Sequence, residues 1–235
     1  MRKSVIYFTG LFLLIVGMSC QQNGDVTDVK LETPADSAGY AIGILVGNNN
    51  KEQVSNAPGG ADISIEAMVA GFAKAAMGEE TDLTPEEADQ IVREYFTSAG
   101  ERQGQENLEA GNAFLQQNKE RPEVKVTESE MQYEVLQEGD GPKPEATDRV
   151  RVHYHGTLID GTVFDSSVEE GEPVVFGVNQ VIPGWTEALQ MMPVGSKWKI
   201  YLPSDLAYGE RGAGGDIGPN ETLIFEVELL EIVEE

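Results

Sequence analysis

Residues 150–167 read VRVHYHGTLIDGTVFDSS. Val150, Val152 and Tyr154 point one way, and Arg149, Arg151, His153 and His155 the other. A period of two with apolar residues on one side is a half-buried β-strand. Asp160-Gly161 supplies a tight turn, and Phe164 and Asp165 follow on a second short extended piece. One hairpin therefore gathers an aromatic hydroxyl (Tyr154), an aromatic ring (Phe164) and a carboxylate (Asp165). The stretch has no Ser/His/Asp order, no cysteine pair and no glycine-rich phosphate loop. The grouping suits an apolar ligand with one polar handle.

The flanking sequence extends the same pattern. Upstream, Met131, Tyr133 and Val135 alternate, and Gly139-Asp140-Gly141-Pro142 is a loop. Downstream come an extended piece at 174–176, a short helix over 184–191 and a turn at Pro193-Val194-Gly195. Trp198, Ile200 and Leu202 then alternate against Lys197, Lys199 and Tyr201. A loop of small residues, 209–219, precedes a last strand in which Leu223, Phe225, Val227 and Leu229 face one way. The expectation is an α+β fold, an antiparallel sheet with one face covered by a single short helix.

The amino-terminal half reads as helices. Tyr40, Ala41, Ile44 and Leu45 line one face over residues 36–53, and 56–60 is a loop. Ile65, Met68, Val69, Phe72 and Ala76 mark a second helix with Ser64 as cap and Gly78 as its end. Thr84-Pro85-Glu86-Glu87 opens a third with a capping box. Its pattern runs through Tyr95, Phe96 and Phe114 to Arg121-Pro122. A continuous helix there is ~35 residues and ~50 Å long. Gly100, Gly104 and Gly111 argue for local weakness, each costing about 1 kcal/mol against Ala in a helix interior. A helix of that length must project and link two parts of the molecule. Three amphipathic segments bury little area alone, which favours a second copy as partner over a monomeric bundle.

The whole chain of 235 residues carries a formal net charge of −25. Phosphates would repel it, so nucleic acid is excluded as a partner. At 40% hydrophobic, the composition is that of a folded protein. The only cysteine is Cys20, so no internal disulfide exists. A basic start, Met1-Arg2-Lys3, precedes an apolar run over 5–18, then Ser19-Cys20 and polar residues. This is a secretory signal, too short for a span of ~20 residues. Residues 20–33 then read as a flexible tether, 34–122 as the helical domain and 123–235 as the β-rich domain. His153 and His155 form an H-x-H pair, but two solvated surface histidines with no third ligand hold no metal.

Together with 150–167, the segments Pro173-Val174-Val175-Phe176, Gln180-Val181-Ile182-Pro183-Gly184-Trp185, Ala207-Tyr208-Gly209 and Thr222-Leu223-Ile224-Phe225 resemble the FKBP family of peptidyl-prolyl isomerases. The two short helices and one long helix ahead of them resemble the amino-terminal domain of the Mip/FkpA type. Cys20 after a small residue resembles a bacterial lipoprotein signal, although Gly17-Met18 departs from the common leucine. The resemblance implies a cofactor-free isomerase acting on proline-containing unfolded chains, open to macrolide inhibitors. It also implies an intertwined homodimer, lipidated at Cys20 and held at a membrane of the bacterial cell envelope, the outer one by this reading.

The same resemblance assigns the site. Trp185 is implied as the floor, and Tyr154, Phe164, Val174, Val181, Ile182 and Phe225 as walls. Tyr208 is implied as the hydroxyl that meets a substrate carbonyl, the Ile182 N–H as a second donor, and Asp165 as a buried orienting carboxylate. Tyr154, Asp165 and Tyr208 make up the catalytic set. Two departures stand out. Val174 replaces a frequent aromatic, and the loop before the last strand has Ala213, Asp216 and Ile217 where the family often carries a His and a pair of bulky aliphatics; Ile217 is still implied as a substrate-binding residue. Gly212-Ala213-Gly214-Gly215 makes that loop small and mobile by expectation. Two other readings stay open: a holdase using an apolar stripe near Tyr95-Phe96, and a proline-peptide binding module with little turnover.

Overall fold

The computed structural model describes residues 29–233. The expected signal and Cys20 lie outside them. Contacts divide the chain into a unit ending at Leu45 and a unit beginning at Val46. Helix α1, Pro34–Ser55, starts in the first, and there Tyr40, Ile42, Ile44 and Leu45 are exposed. No described helix is long and apolar enough to cross a membrane.

The second unit takes in the end of α1 and then two capped helices. Helix α2, Ile65–Met77, begins where the Ser64 hydroxyl accepts the Ala67 N–H at 3.1 Å, and ends at Gly78 with φ 71°. Helix α3, Pro85–Asn118, begins at the Thr84/Glu87 capping box and Pro85. It runs unbroken for 34 residues, about 51 Å.

The sheet comprises β1 (Lys125–Val126), β2 (Gln132–Gln137), β3 (Arg149–Leu158), β4 (Val163–Ser166), β5 (Val174–Gly177), β6 (Lys197–Leu202) and β7 (Leu223–Val233). The order is β1-β2-β6-β7-β3-β4, every pair antiparallel, with β5 beside the first half of β3. A short turn of helix, α4 (Ser167–Glu170), follows β4, and α5 (Pro183–Met191) crosses one face. Trp185, Ala188 and Leu189 of α5 are buried against Val150, Val152, Ile200, Leu223, Val227 and Leu229. The alternation expected in β3 is present, with Val150, Val152 and Tyr154 inside.

The other face departs from the expected open side. The carboxyl-terminal half of α3 belongs to the same unit as the sheet and covers part of it. Gly104, Gly111, Leu115 and Asn118 are buried in that half. Phe114 lies 5.9 Å from the ring of Tyr201, which is 2% exposed and not the outward residue its neighbours Lys197 and Lys199 suggested. Gln132 and Glu134, on the nominally polar side of β2, are buried too. Each has partners. Asn118 Nδ2 donates to Gln132 Oε1 at 2.9 Å, Gln132 Nε2 donates to Leu115 O at 2.9 Å, and Glu134 takes hydrogen bonds from Arg121 and the Tyr201 hydroxyl. Burial, then the hydrogen bond to Glu134, pushes the Tyr201 hydroxyl up to about 12.

Two glycines expected to weaken α3 are points of close approach instead. A Cβ at Gly111 would strike Thr222 Oγ1, and one at Gly104 would sit 3.1 Å from Asn220 Nδ2 and 3.2 Å from Pro219 Cβ. The intrinsic cost of glycine in a helix is offset by packing that no larger residue permits.

Candidate active site

The β3–β4 hairpin closes as its sequence requires. Gly161 has φ 90° and donates to Leu158 O, while Leu158 N–H donates to Thr162 O. Asp160 Oδ1 accepts the Thr162 N–H at 2.9 Å. The register sets Gly156 opposite Asp165. Gly156 is a glycine because a Cβ there would lie 2.7 Å from Phe164 Cζ and 3.0 Å from Phe225 Cε1. The missing side chain lets both rings fold over the strand.

The rings build an aromatic well. Trp185, 4% exposed, meets Tyr154, Phe176 and Phe225 edge to face, with centroids 5.4, 5.8 and 5.3 Å away. Phe164 meets Phe225 the same way at 5.4 Å. Edge-to-face contact joins the positive rim of one ring to the negative face of the next, and fixes each ring more firmly than apolar packing alone. The well opens into a cavity of about 410 Å³ lined by Tyr154, Phe164, Asp165, Phe176, Gln180, Val181, Ile182, Trp185, Tyr208 and Phe225.

Polar groups sit at its edges. The Tyr154 hydroxyl donates to Asp165 Oδ2 at 2.7 Å. Burial first, then this bond and the Asp165 charge, raises the Tyr154 pKa far above the ordinary phenol value. The Tyr208 hydroxyl is raised by burial and by the same carboxylate. Both phenols are therefore neutral donors at neutral pH. Ile182 precedes α5, where its carbonyl accepts from Trp185 and Thr186 while Pro183 holds the first helical position. Its N–H makes no backbone hydrogen bond among the described residues. The indole N–H of Trp185 is buried and likewise unpartnered there.

The structure departs from the expected site at five positions. Val174 pairs with Val152 in β5 and packs on the core without lining the cavity, and Ile217 is buried outside it. Asp165 is exposed, not buried, because β4 is an edge strand paired with β3 alone. Phe176 and Gln180 line the cavity as well, beyond the residues that the resemblance assigns. Phe176 shares a strand face with Val174 by the two-residue period, and its longer side chain reaches Trp185. The 209–219 loop, expected to be loose, is tied by paired Ala213–Ile217 backbone bonds of 2.9 and 3.1 Å. His153 and His155 each face a serine hydroxyl, Ser167 at 3.1 Å and Ser166 at 2.9 Å.

A second cavity, about 790 Å³, lies among residues 55–62, α3 and residues 211–221. It has no aromatic lining, so it offers a proline ring no floor.

A family model described as "FKBP-type peptidyl-prolyl cis-trans isomerase" matches residues 141–230. Another, "Domain amino terminal to FKBP-type peptidyl-prolyl isomerase", matches residues 35–135. The chain belongs to the FKBP-type peptidyl-prolyl cis-trans isomerases. It is 41% identical over 226 residues to the outer membrane protein MIP of Legionella longbeachae, covering 93% of this chain and 94% of that protein. It is 47% identical over 211 residues to the FKBP-type 22 kDa isomerase of Escherichia coli K12, covering 88% of this chain and all of the relative. The crystal structure of FkpA from Escherichia coli superposes with TM-score 0.61 at 32% identity, covering 86% of this chain and 98% of that one.

Proposed function

We propose that this isomerase uses the aromatic well to turn X–Pro bonds in exported polypeptides at the bacterial cell envelope. Rotation faces a barrier of ~18–20 kcal/mol because amide resonance is lost at the twisted state. The twisted amide carries less charge separation than the planar one, so an apolar surround favours it. In this reading Trp185 floors the proline ring, Phe164, Phe176 and Phe225 exclude water, and Tyr208 with the Ile182 N–H holds substrate carbonyls. Asp165 fixes Tyr154 and lies within reach of the twisting carbonyl. The observation that carries the reading is the Tyr154–Asp165 hydrogen bond at the rim of rings packed on Trp185.

The reading extends to a homodimer anchored through lipidated Cys20. Support for the dimer comes from the match to the amino-terminal family and from exposed Ile65, Val69 and Phe72 on α2 and Ile91 and Val92 on α3. Support for the envelope comes from a relative named as an outer membrane protein. The Tyr95-Phe96 stripe does not favour a holdase: Tyr95 is half-buried and its hydroxyl donates to Gly59 O at 2.9 Å.

A protease-coupled assay on proline peptides, with and without a macrolide, tests the site. Catalysis should be flat between about pH 6 and 8, because both phenols have raised pKa values and stay protonated there. A bell-shaped profile in that range would report an essential acid and base and contradict the conformational mechanism.

A further inference from the structure

Tyr208 reaches the well from a segment with little regular structure. On its amino-terminal side Leu206 and Ala207 pack on the core, and Ala207 N–H donates to Ser204 O at 3.0 Å. On the other side stands Gly209, with φ 55°. Glycine leaves the backbone free to turn, so whatever holds the Gly209 carbonyl sets the direction of Tyr208. That carbonyl accepts the Asn220 N–H at 2.8 Å and the Gly212 N–H at 3.3 Å.

Asn220 is itself held by the long helix. It has a positive φ of 55°, which asparagine tolerates better than most residues. Its Nδ2 donates to Gly104 O of α3 at 3.2 Å. One turn along, Asn107 Nδ2 donates to Pro219 O at 2.9 Å. Gly104 makes room for the pair. Two side-chain amides therefore lock residues 219 and 220 to α3, and Asn220 locks Gly209 beside Tyr208.

We propose that Asn107 and Asn220 are positioning residues for isomerisation, acting through Gly209 on Tyr208, so that α3 is a working part of the catalytic unit. The proposal rests on reading Tyr208 as a substrate-facing hydroxyl. The test is a double-mutant cycle on the full chain, reading kcat/KM on a chromogenic proline tetrapeptide. Asn107→Ala, Tyr208→Ala and the double variant form one cycle. Asn220→Gly, which tolerates the positive φ and removes the side-chain bond, forms a second with Tyr208→Ala. Each asparagine variant should lose about three- to tenfold, the range for one hydrogen bond. Neither should lose more than about a further twofold once Tyr208 is gone, since residues acting through one another are not additive. Thermal unfolding checks that each variant is folded, and if Asn107→Ala fails that check the Asn220→Gly cycle decides. Losses that multiply with Tyr208→Ala overturn the proposal. Wild-type rates in the asparagine variants, beside a loss in Tyr208→Ala, remove the proposal and leave the Tyr208 reading standing. A fully active Tyr208→Ala removes both.

Discussion

In the proposed mechanism Asp165 acts from an exposed position. A carboxylate at an edge strand keeps its hydration and needs no counter-charge, yet one oxygen is fixed by the Tyr154 hydroxyl. Removing either partner should therefore disturb orientation more than stability. Asp165→Ala and Tyr154→Phe should each lower kcat/KM by roughly a few-fold to tenfold, the range for one hydrogen bond, with little change in Tm. Trp185→Ala should behave differently. It empties a buried site that three other rings contact, and truncating a buried Trp costs about 3–5 kcal/mol. It should lose both activity and several degrees of Tm by calorimetry. A folded Asp165→Ala, Tyr154→Phe double variant with full activity would remove the hydrogen bond from the mechanism. Tyr154, Phe164 and Asp165 were legible because a period of two and an Asp-Gly turn fix which residues meet. The exposure of Asp165 was not, because edge position depends on strand order, which no local pattern states.

At the scale of the element, α3 carries the clearest contrast between pattern and packing. Its start was legible in four residues, Thr84 to Glu87, since capping is local chemistry. Its glycines were read by propensity, and propensity yields to tertiary packing. Gly111 faces Thr222, the residue before β7, and β7 supplies Phe225 to the well. Gly111→Ala should thus destabilise the fold, against the gain of about 1 kcal/mol that helix propensity assigns to the exchange. The colliding atom is Thr222 Oγ1, so adding Thr222→Ala should recover part of the loss. Chemical denaturation of the two single variants and the double variant reads this directly. A stabilised Gly111→Ala would show that the helix and Thr222 separate at little cost.

At the scale of the whole molecule, the placing of α3 decides where the isomerase domain begins. The sequence pattern set that boundary near residue 123, ahead of β1, because the sheet's periodicity begins there. We propose an earlier boundary on the buried side chains. Gln132, Glu134 and Tyr201 lie under α3; Gln132 donates to Leu115 O, and Asn118 and Arg121 donate to the three side chains. A chain beginning at residue 124 loses the Leu115 acceptor and the Asn118 and Arg121 donors, and it uncovers the face on which Phe114 rests. Its Gln132 and Glu134 gain access to water, which lessens the penalty, but the packing of Phe114 and Leu115 is lost outright. A chain beginning at residue 98 keeps the whole contact, including the Asn107 and Asn220 bonds. We therefore expect the longer fragment to be monomeric, since it lacks α1, α2 and the exposed Ile91 and Val92, and to melt several degrees above the shorter one. Light scattering and calorimetry on the two fragments check both points. Equal melting temperatures would mean that the helix contributes no stability to the sheet it covers, and the boundary would then lie where the sequence pattern put it.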